Sequence, residues 1–333
     1  MRSLIVIGTS LITALAGFAQ ERLTPEKAME LGRKYTAALY ANDTATLWPV
    51  MTDRMKQDAG SQEKLGEFNG MARMQLGSET KLLKEVVLPD NLGYLKYTRL
   101  AEFDQVPFNI IVQFTFDPAW KIAGFFVTRD TSPAGSQFLD YKDKTTLTLP
   151  VAGEWTVYQG GRTVFDNYHA ATKDQRFAYD LLVIKNARMF SNKGDELGDY
   201  YSFGLPVFSP AEGKVTAVID EYDDNQPLKP SKDAPAYGNS IVIDHGRGEF
   251  SMLAHLKRGS IKVKPGDKVT AGQQIAQCGN SGNSPIPHIH YHLQTTPVWF
   301  KGEGLPIQFH DYFSNGKPVA SGEPSRGEVL QRK

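Results

Sequence analysis

The sequence predicts two units of different class, an α+β domain followed by an all-β domain of antiparallel strands. Three observations carry this. Apolar residues recur at helical spacing as far as Gly77, the period then changes to two from Lys81 to Thr128, and beyond Ser136 short apolar runs are broken by Gly, Pro, Asn and Asp to the end. The expected divisions are a signal segment over 1–19, the α+β domain over 20–130, a linker over 131–144, the β-rich domain over 145–315, and a flexible tail over 316–333.

The first unit opens at Thr24-Pro25, an N-cap residue followed by proline at the first helical position. Ala28, Leu31, Tyr35, Ala38 and Leu39 continue the helix, Asn42-Asp43 ends it and caps a short one through Leu47, Trp48 and Met51, and a third is expected from Ser61 to Gly77. Strands are expected over 82–88, 92–103, 108–116 and 120–128, with Phe108, Ile110, Val112, Phe114 and Phe116 sharing a face. In the second unit, strands are expected over 145–149 and 155–159. Residues 186–203 and 220–236 read as long loops bounding a groove.

The composition is that of an ordinary globular chain: 333 residues, 41% hydrophobic, with 37 basic and 37 acidic residues. A balanced charge and the lack of a nucleic-acid motif argue against a nucleic-acid partner. Arg2, the apolar run Leu4 to Leu15 and the small residues Gly17 and Ala19 read as a cleavable export signal. A membrane anchor needs about 18 or more continuous apolar residues, so no stable anchor is expected after cleavage. The expected location is periplasmic or secreted. Cys278, the single cysteine, has no partner for an internal disulfide and is given no role.

The chemistry concentrates in Pro287-His288-Ile289-His290-Tyr291-His292-Leu293. Alternation along an extended chain puts the three imidazoles on one face and the apolar residues on the other. Histidine pairs at this spacing can share one metal ion. Asp180 lies in the apolar run Phe177 to Ile184, where a carboxylate must be paired, hydrogen-bonded or coordinated. His169 and His255, each alone, would read as ordinary solvated or core histidines, and His245 at a turn reads as structural.

Taken in chain order, Asn167-Tyr168-His169, Tyr179-Asp180, Gly204 to Val215, Tyr237 to Gly246, Ala254-His255-Leu256, Gly279-Asn280-Ser281-Gly282 and Pro287-His288-Ile289-His290-Tyr291 resemble the lysostaphin-type (LytM-like) zinc endopeptidases, metallopeptidase family 23. The hairpin Lys264 to Ala276 resembles those of barrel-sandwich hybrids. A fold of antiparallel sandwich or barrel-sandwich hybrid type, a duplicated hybrid motif, is thereby implied. The helices-then-sheet order of the first unit resembles nuclear-transport-factor-2-like domains in pattern only, implying a binding, spacing or regulatory module.

The family resemblance implies one Zn2+ per chain held by His169, Asp180 and His290, with His255 and His288 as the two active-site histidines. It implies hydrolysis of peptide bonds in bacterial peptidoglycan by a zinc-activated water. Its alternative is a non-catalytic LytM-like protein that activates another wall hydrolase. Two departures stand out. Ten residues separate His169 from Asp180 where the family shows three, with Asp174 as the nearest rival ligand, and His292 stands where the family shows an acidic or amide residue.

Overall fold

The computed structural model describes residues 23–333, so the expected signal segment lies outside the described residues. Among these, no helix is long and apolar enough to cross a membrane. The chain divides into two compact units at Asp130/Thr131.

In the first unit, the Thr24 hydroxyl accepts from the Lys27 amide at 3.3 Å and opens α1 (Pro25–Tyr40). Asp43, Thr52 and Ser61 cap α2 (Thr44–Leu47), α3 (Asp53–Ala59) and α4 (Gln62–Leu76) in the same way, each satisfying an otherwise orphaned amide. The helix α3 was not expected: seven residues with Met55 alone buried show too little periodicity to read. Strands β1 (Glu79–Pro89), β2 (Leu95–Phe103), β3 (Ile110–Phe116) and β4 (Ile122–Arg129) follow as an antiparallel meander in chain order.

Strict alternation in β3 buries Ile110, Val112, Phe114 and Phe116. Phe108, expected on the same face, precedes the strand and is 39% exposed. Tyr35 of α1 meets Phe114 and Phe116, with ring centroids 6.2 and 6.0 Å away. Gly32 lets α1 approach the sheet, because a Cβ there would stand 2.2 Å from the Tyr97 ring. Each such buried aromatic or aliphatic side chain contributes about 1.5–3 kcal/mol.

The second unit consists of short strands: β5 (Glu154–Gln159), β6 (Tyr179–Leu182), β7 (Pro206–Phe208), β8 (Gly213–Ile219), β9 (Ser240–Asp244), β10 (Phe250–Ala254), β11 (Lys268–Val269), β12 (Gln274–Gln277), β13 (Ile289–Gln294), β14 (Gly304–Leu305), β15 (Phe309–Ser314), β16 (Lys317–Gly322) and β17 (Val329–Arg332). The main sheet is antiparallel and open, in the order β11-β8-β9-β10-β13-β6-β5-β17-β15-β16, with β14 paired to β13 and a separate β12-β7 ribbon. Ile289, Tyr291 and Leu293 point into its core beside Leu181, Leu253 and Ile243.

Two expected boundaries shift. The linker expected over 131–144 largely belongs to the second unit: buried Glu249 accepts from the Tyr141 hydroxyl at 2.7 Å and the Lys144 amide at 2.6 Å, and Glu303 from the Gln137 amide at 2.9 Å. The tail expected to be flexible forms β16 and β17, and β17 completes the sheet between β5 and β15 with Leu330 fully buried. An unpaired β5 edge supplies the reason, since its amides and carbonyls need partners.

Candidate metal centre

Three adjacent strands assemble the site. In the antiparallel register His290 on β13 lies opposite Asp180 on β6 and Ala254 on β10, so His255 follows one residue beyond the pairing. His255 has φ 61°, a left-handed conformation uncommon for a residue with a side chain. His288, two residues before His290, shares its face. His169 sits on the one-turn 3-10 helix Tyr168–Ala171, capped by Asn167. All five residues are buried.

The Nδ1 of His290 lies 3.0 Å from Asp180 Oδ1, and His288 Nε2 and His169 Nε2 lie 3.6 and 3.7 Å from the same oxygen. Donor atoms of His169, Asp180 and His290 all fall within 4.8 Å of one another. Asp174, the rival ligand, is outside this group; its carboxylate accepts from Gln175 at 3.4 Å. The long insertion between His169 and Asp180 still closes on the site because buried Asn167 stitches its base, donating to Ala178 O at 3.0 Å and Gly161 O at 3.2 Å.

Hydrogen bonds around the imidazoles fix which nitrogen carries a proton. The Asn167 NH2 is committed to carbonyls, so its oxygen accepts from His169, whose Nδ1 is 2.9 Å away; His169 Nε2 is left with its lone pair toward Asp180. Behind His290 runs a longer chain. The Gln294 NH2 donates to Thr296 O at 2.6 Å and Val298 O at 2.9 Å, so Gln294 Oε1 must accept from His292 Nε2 at 3.1 Å. His292 Nδ1 is then an acceptor for His290 Nε2, 2.9 Å away, and the lone pair of His290 falls on Nδ1, facing Asp180. Sequence alone leaves His292 open between supporting a ligand and touching substrate; in the structure it links a metal-ligand candidate to a backbone-anchored amide.

Burial pushes the His169 imidazole down to about 3, only partly opposed by Asp180. Burial and the neighbouring imidazoles likewise hold His255 and His292 well below the ordinary histidine value. For Asp180, burial pushes upward, but His169, His288 and His290 outweigh it: positive charge in this cluster, whether a proton on an imidazole or a bound cation, holds the carboxyl below the ordinary carboxylate range. The result is an ionised carboxylate whose nearest nitrogens present lone pairs. Such an arrangement is repulsive unless a proton on His290 Nδ1 or a cation stands between the donors. At metal–ligand lengths of about 2.0–2.2 Å, tetrahedral donors stand about 3.4 Å apart, and the 3.0 and 3.7 Å separations bracket that value. The residues fit a bound zinc ion.

Two further imidazoles adjoin the donors. The Nδ1 of His255 is 2.8 Å from Ser281 O, and that of His288 is 2.8 Å from Ile286 O, so both carry the proton on Nδ1 and keep Nε2 as an acceptor. A cavity of about 160 Å³ opens on His169, His255 and His290, walled by Tyr168, Tyr237, Trp299 and Phe300. Of the two loops expected to bound a groove, 220–236 contributes Ala236, whereas 186–203 contributes nothing to this cavity. The latter packs Met189, Phe190 and Tyr200 into an apolar cluster with Leu182 and Ile286. The wall residues Trp299 and Phe300 were missed, although two adjacent aromatics between Pro297 and Gly302 were a readable signal. Cys278 is buried and its thiol is pushed far up by that burial, in keeping with no reactive role.

Residues 199–303 match the model of Peptidase family M23, a span that takes in His255, His288 and His290 and begins after His169 and Asp180. The chain is 34% identical over 90 residues to the peptidoglycan DD-endopeptidase ShyA of Vibrio cholerae, covering 27% of this chain and 17% of that protein. It is 24% identical over 158 residues to the cell division protein DipM of Caulobacter vibrioides, covering 44% and 24%. The chain thus spans a quarter or less of these curated relatives. A crystal structure of a zinc-containing peptidase from Vibrio cholerae aligns at 17% identity over 68% of this chain and 56% of the other, with a TM-score of 0.28, too loose a likeness to carry an argument. The phrases shared in order with LytM and lysostaphin, the sequence match and the antiparallel β architecture converge: the second unit carries a peptidase family M23 domain.

Proposed function

We propose that this chain is an exported zinc metalloendopeptidase that hydrolyses peptide bonds in the cross-links or stems of bacterial peptidoglycan. The observation that carries the reading is the convergence of two imidazole lone pairs on the ionised Asp180 oxygen, at 3.0 and 3.7 Å, beside two more imidazoles with free acceptor nitrogens. In this reading His169, Asp180 and His290 hold the ion, and His255 and His288 handle protons. Peptidoglycan as substrate is supported by the likeness to the peptidoglycan DD-endopeptidase ShyA, and export by the pattern from Arg2 to Ala19.

When bound, zinc polarises a carbonyl and lowers the pKa of water toward about 7. The chain's own residues do the rest. Nε2 of His288 or His255 accepts a proton from the attacking water, because Nδ1 of each is already spent on a backbone carbonyl. Returned to the leaving amine, that proton completes cleavage. Tyr168, half-exposed, has its hydroxyl 3.4 Å from Asp180 Oδ2 and is a donor at the rim of the site. The stacked pair Tyr237 and Trp299, with ring centroids 4.6 Å apart, offers an apolar shelf for the substrate.

The test is mass spectrometry of fragments released from purified peptidoglycan by the chain with zinc, with chelator, and with His288→Ala. Peptide-bond products that require both zinc and His288 are expected. Stoichiometric zinc with no products from several wall types would instead favour a LytM-like regulator of another hydrolase.

A further inference from the structure

The first unit contains a cavity of about 600 Å³ between α1, α4 and the sheet. Leu39, Ala72, Leu76, Phe103 and Val127 make its wall largely apolar. One wall residue breaks the pattern. Asn69, in the middle of the inward stripe of α4, is 2% exposed, and neither its Nδ2 nor its Oδ1 has a hydrogen-bond partner. Two other polar groups there are satisfied: the Tyr40 hydroxyl donates to Glu79 at 2.8 Å, and Glu79 is paired with Arg99. A buried carboxamide with both ends idle is costly, and an apolar residue would continue the Leu65–Leu76 stripe without that cost.

We propose that this cavity is a small-molecule site and that Asn69 is its recognition residue. A carboxamide is self-complementary: its NH2 donates and its oxygen accepts, so a ligand amide satisfies both at once. Arg73 lies one helical turn further along the same face, about 6 Å away, and is exposed where it lines the cavity. A guanidinium at that distance suits a carboxylate. The ligand class is therefore an N-acyl amino acid or short N-acylated peptide acid: apolar body against Phe103 and Leu76, amide on Asn69, carboxylate on Arg73. This site is independent of the metal centre and of the chemistry proposed there.

The probes are N-acetyl-phenylalanine, its carboxamide, and 3-phenylpropanoate, which keeps the acid but lacks the amide; each is titrated into the full chain by calorimetry and amide chemical shifts. N-acetyl-phenylalanine is expected to bind with a dissociation constant near or below about 1 mM, as its size allows. Asn69→Leu should weaken it at least about tenfold, leave 3-phenylpropanoate unchanged, and raise the melting temperature of the unliganded chain. Arg73→Gln, a surface change that leaves the fold intact, should weaken both acids and spare the carboxamide. No binding to the unsubstituted chain at the solubility limit of the probe overturns the proposal. So does undiminished binding by Asn69→Leu, or a melting temperature that falls, since a structural asparagine held by ordered water gives those results. If Asn69→Leu does not fold, the Arg73→Gln pattern across the three probes decides.

Discussion

At the scale of single residues, the site is defined by where protons cannot be. Gln294 can present only its oxygen to His292, His292 can present only Nδ1 to His290, and the lone pair of His290 is thereby steered to Asp180. Groups that orient a metal-binding histidine typically matter by 10–100-fold in affinity. His292→Phe and Gln294→Leu are each expected to weaken zinc binding by about that factor, while His292→Gln, which keeps an acceptor, recovers part of it. Competition with a chromophoric chelator reads the affinity, and circular dichroism confirms the fold. Unchanged affinity in His292→Phe would remove the relay from the metal site. The ligands and the proton carriers separate by the same assay: His290→Ala should lose zinc, and His288→Ala should keep zinc and lose activity. His288 Nε2 stands as near to Asp180 as His169 Nε2 does, 3.6 against 3.7 Å, so comparing His288→Ala with His169→Ala, which should lose zinc, is the discriminating test.

At the scale of elements, what binds the second unit together lies partly in strands too short to announce themselves. Leu330 of β17 is fully buried between β5 and β15, and Leu330→Ala should cost about 2–5 kcal/mol and lower the melting temperature by several degrees. Scanning fluorimetry measures it, and a melting temperature equal to that of the parent chain would show β17 to be dispensable. Such a strand could not be read from Val329-Leu330-Gln331-Arg332, where one apolar residue at an inward position gives no period. The signal was ample elsewhere. Ile110, Val112, Phe114 and Phe116 declared β3, and alternation through His288, His290 and His292 declared the face that carries the site. Asp180 was legible because an acid inside Phe177 to Ile184 had to be compensated. Trp299 and Phe300 stood out as adjacent aromatics, but that their loop walls the cavity was not legible, because which loop closes over a cavity depends on sheet order, and β14 pairing with β13 is a tertiary fact.

For the molecule as a whole, the buried imidazoles set a pH dependence whose sign can be worked out. Burial depresses His169, His245, His255 and His292 in the folded chain, His169 to about 3, against about 6.5 when unfolded. Between those values the unfolded chain binds protons that the folded chain refuses, so stability rises with pH there. The contribution of these histidines is complete above about 6.5 and is lost progressively as the pH falls below it. Asp180, depressed by its imidazole neighbours, adds a loss of the same sign below the ordinary carboxylate range. Asp143 opposes both, because burial raises it to about 6 and folding then favours its protonated form. Four imidazoles outweigh that carboxyl over the window just below 6.5. The metal-free chain should therefore melt progressively lower at pH 6.5, 5.5 and 4.5 than at 7.5. In His292→Gln, which removes one of the four, the dependence should be shallower. Zinc should steepen it, since its nitrogen ligands must be unprotonated to bind. Equal melting temperatures at pH 7.5 and 5.5 in chelator would mean that these imidazoles are hydrated and titrate normally, and would remove the electrostatic basis for an ion at Asp180.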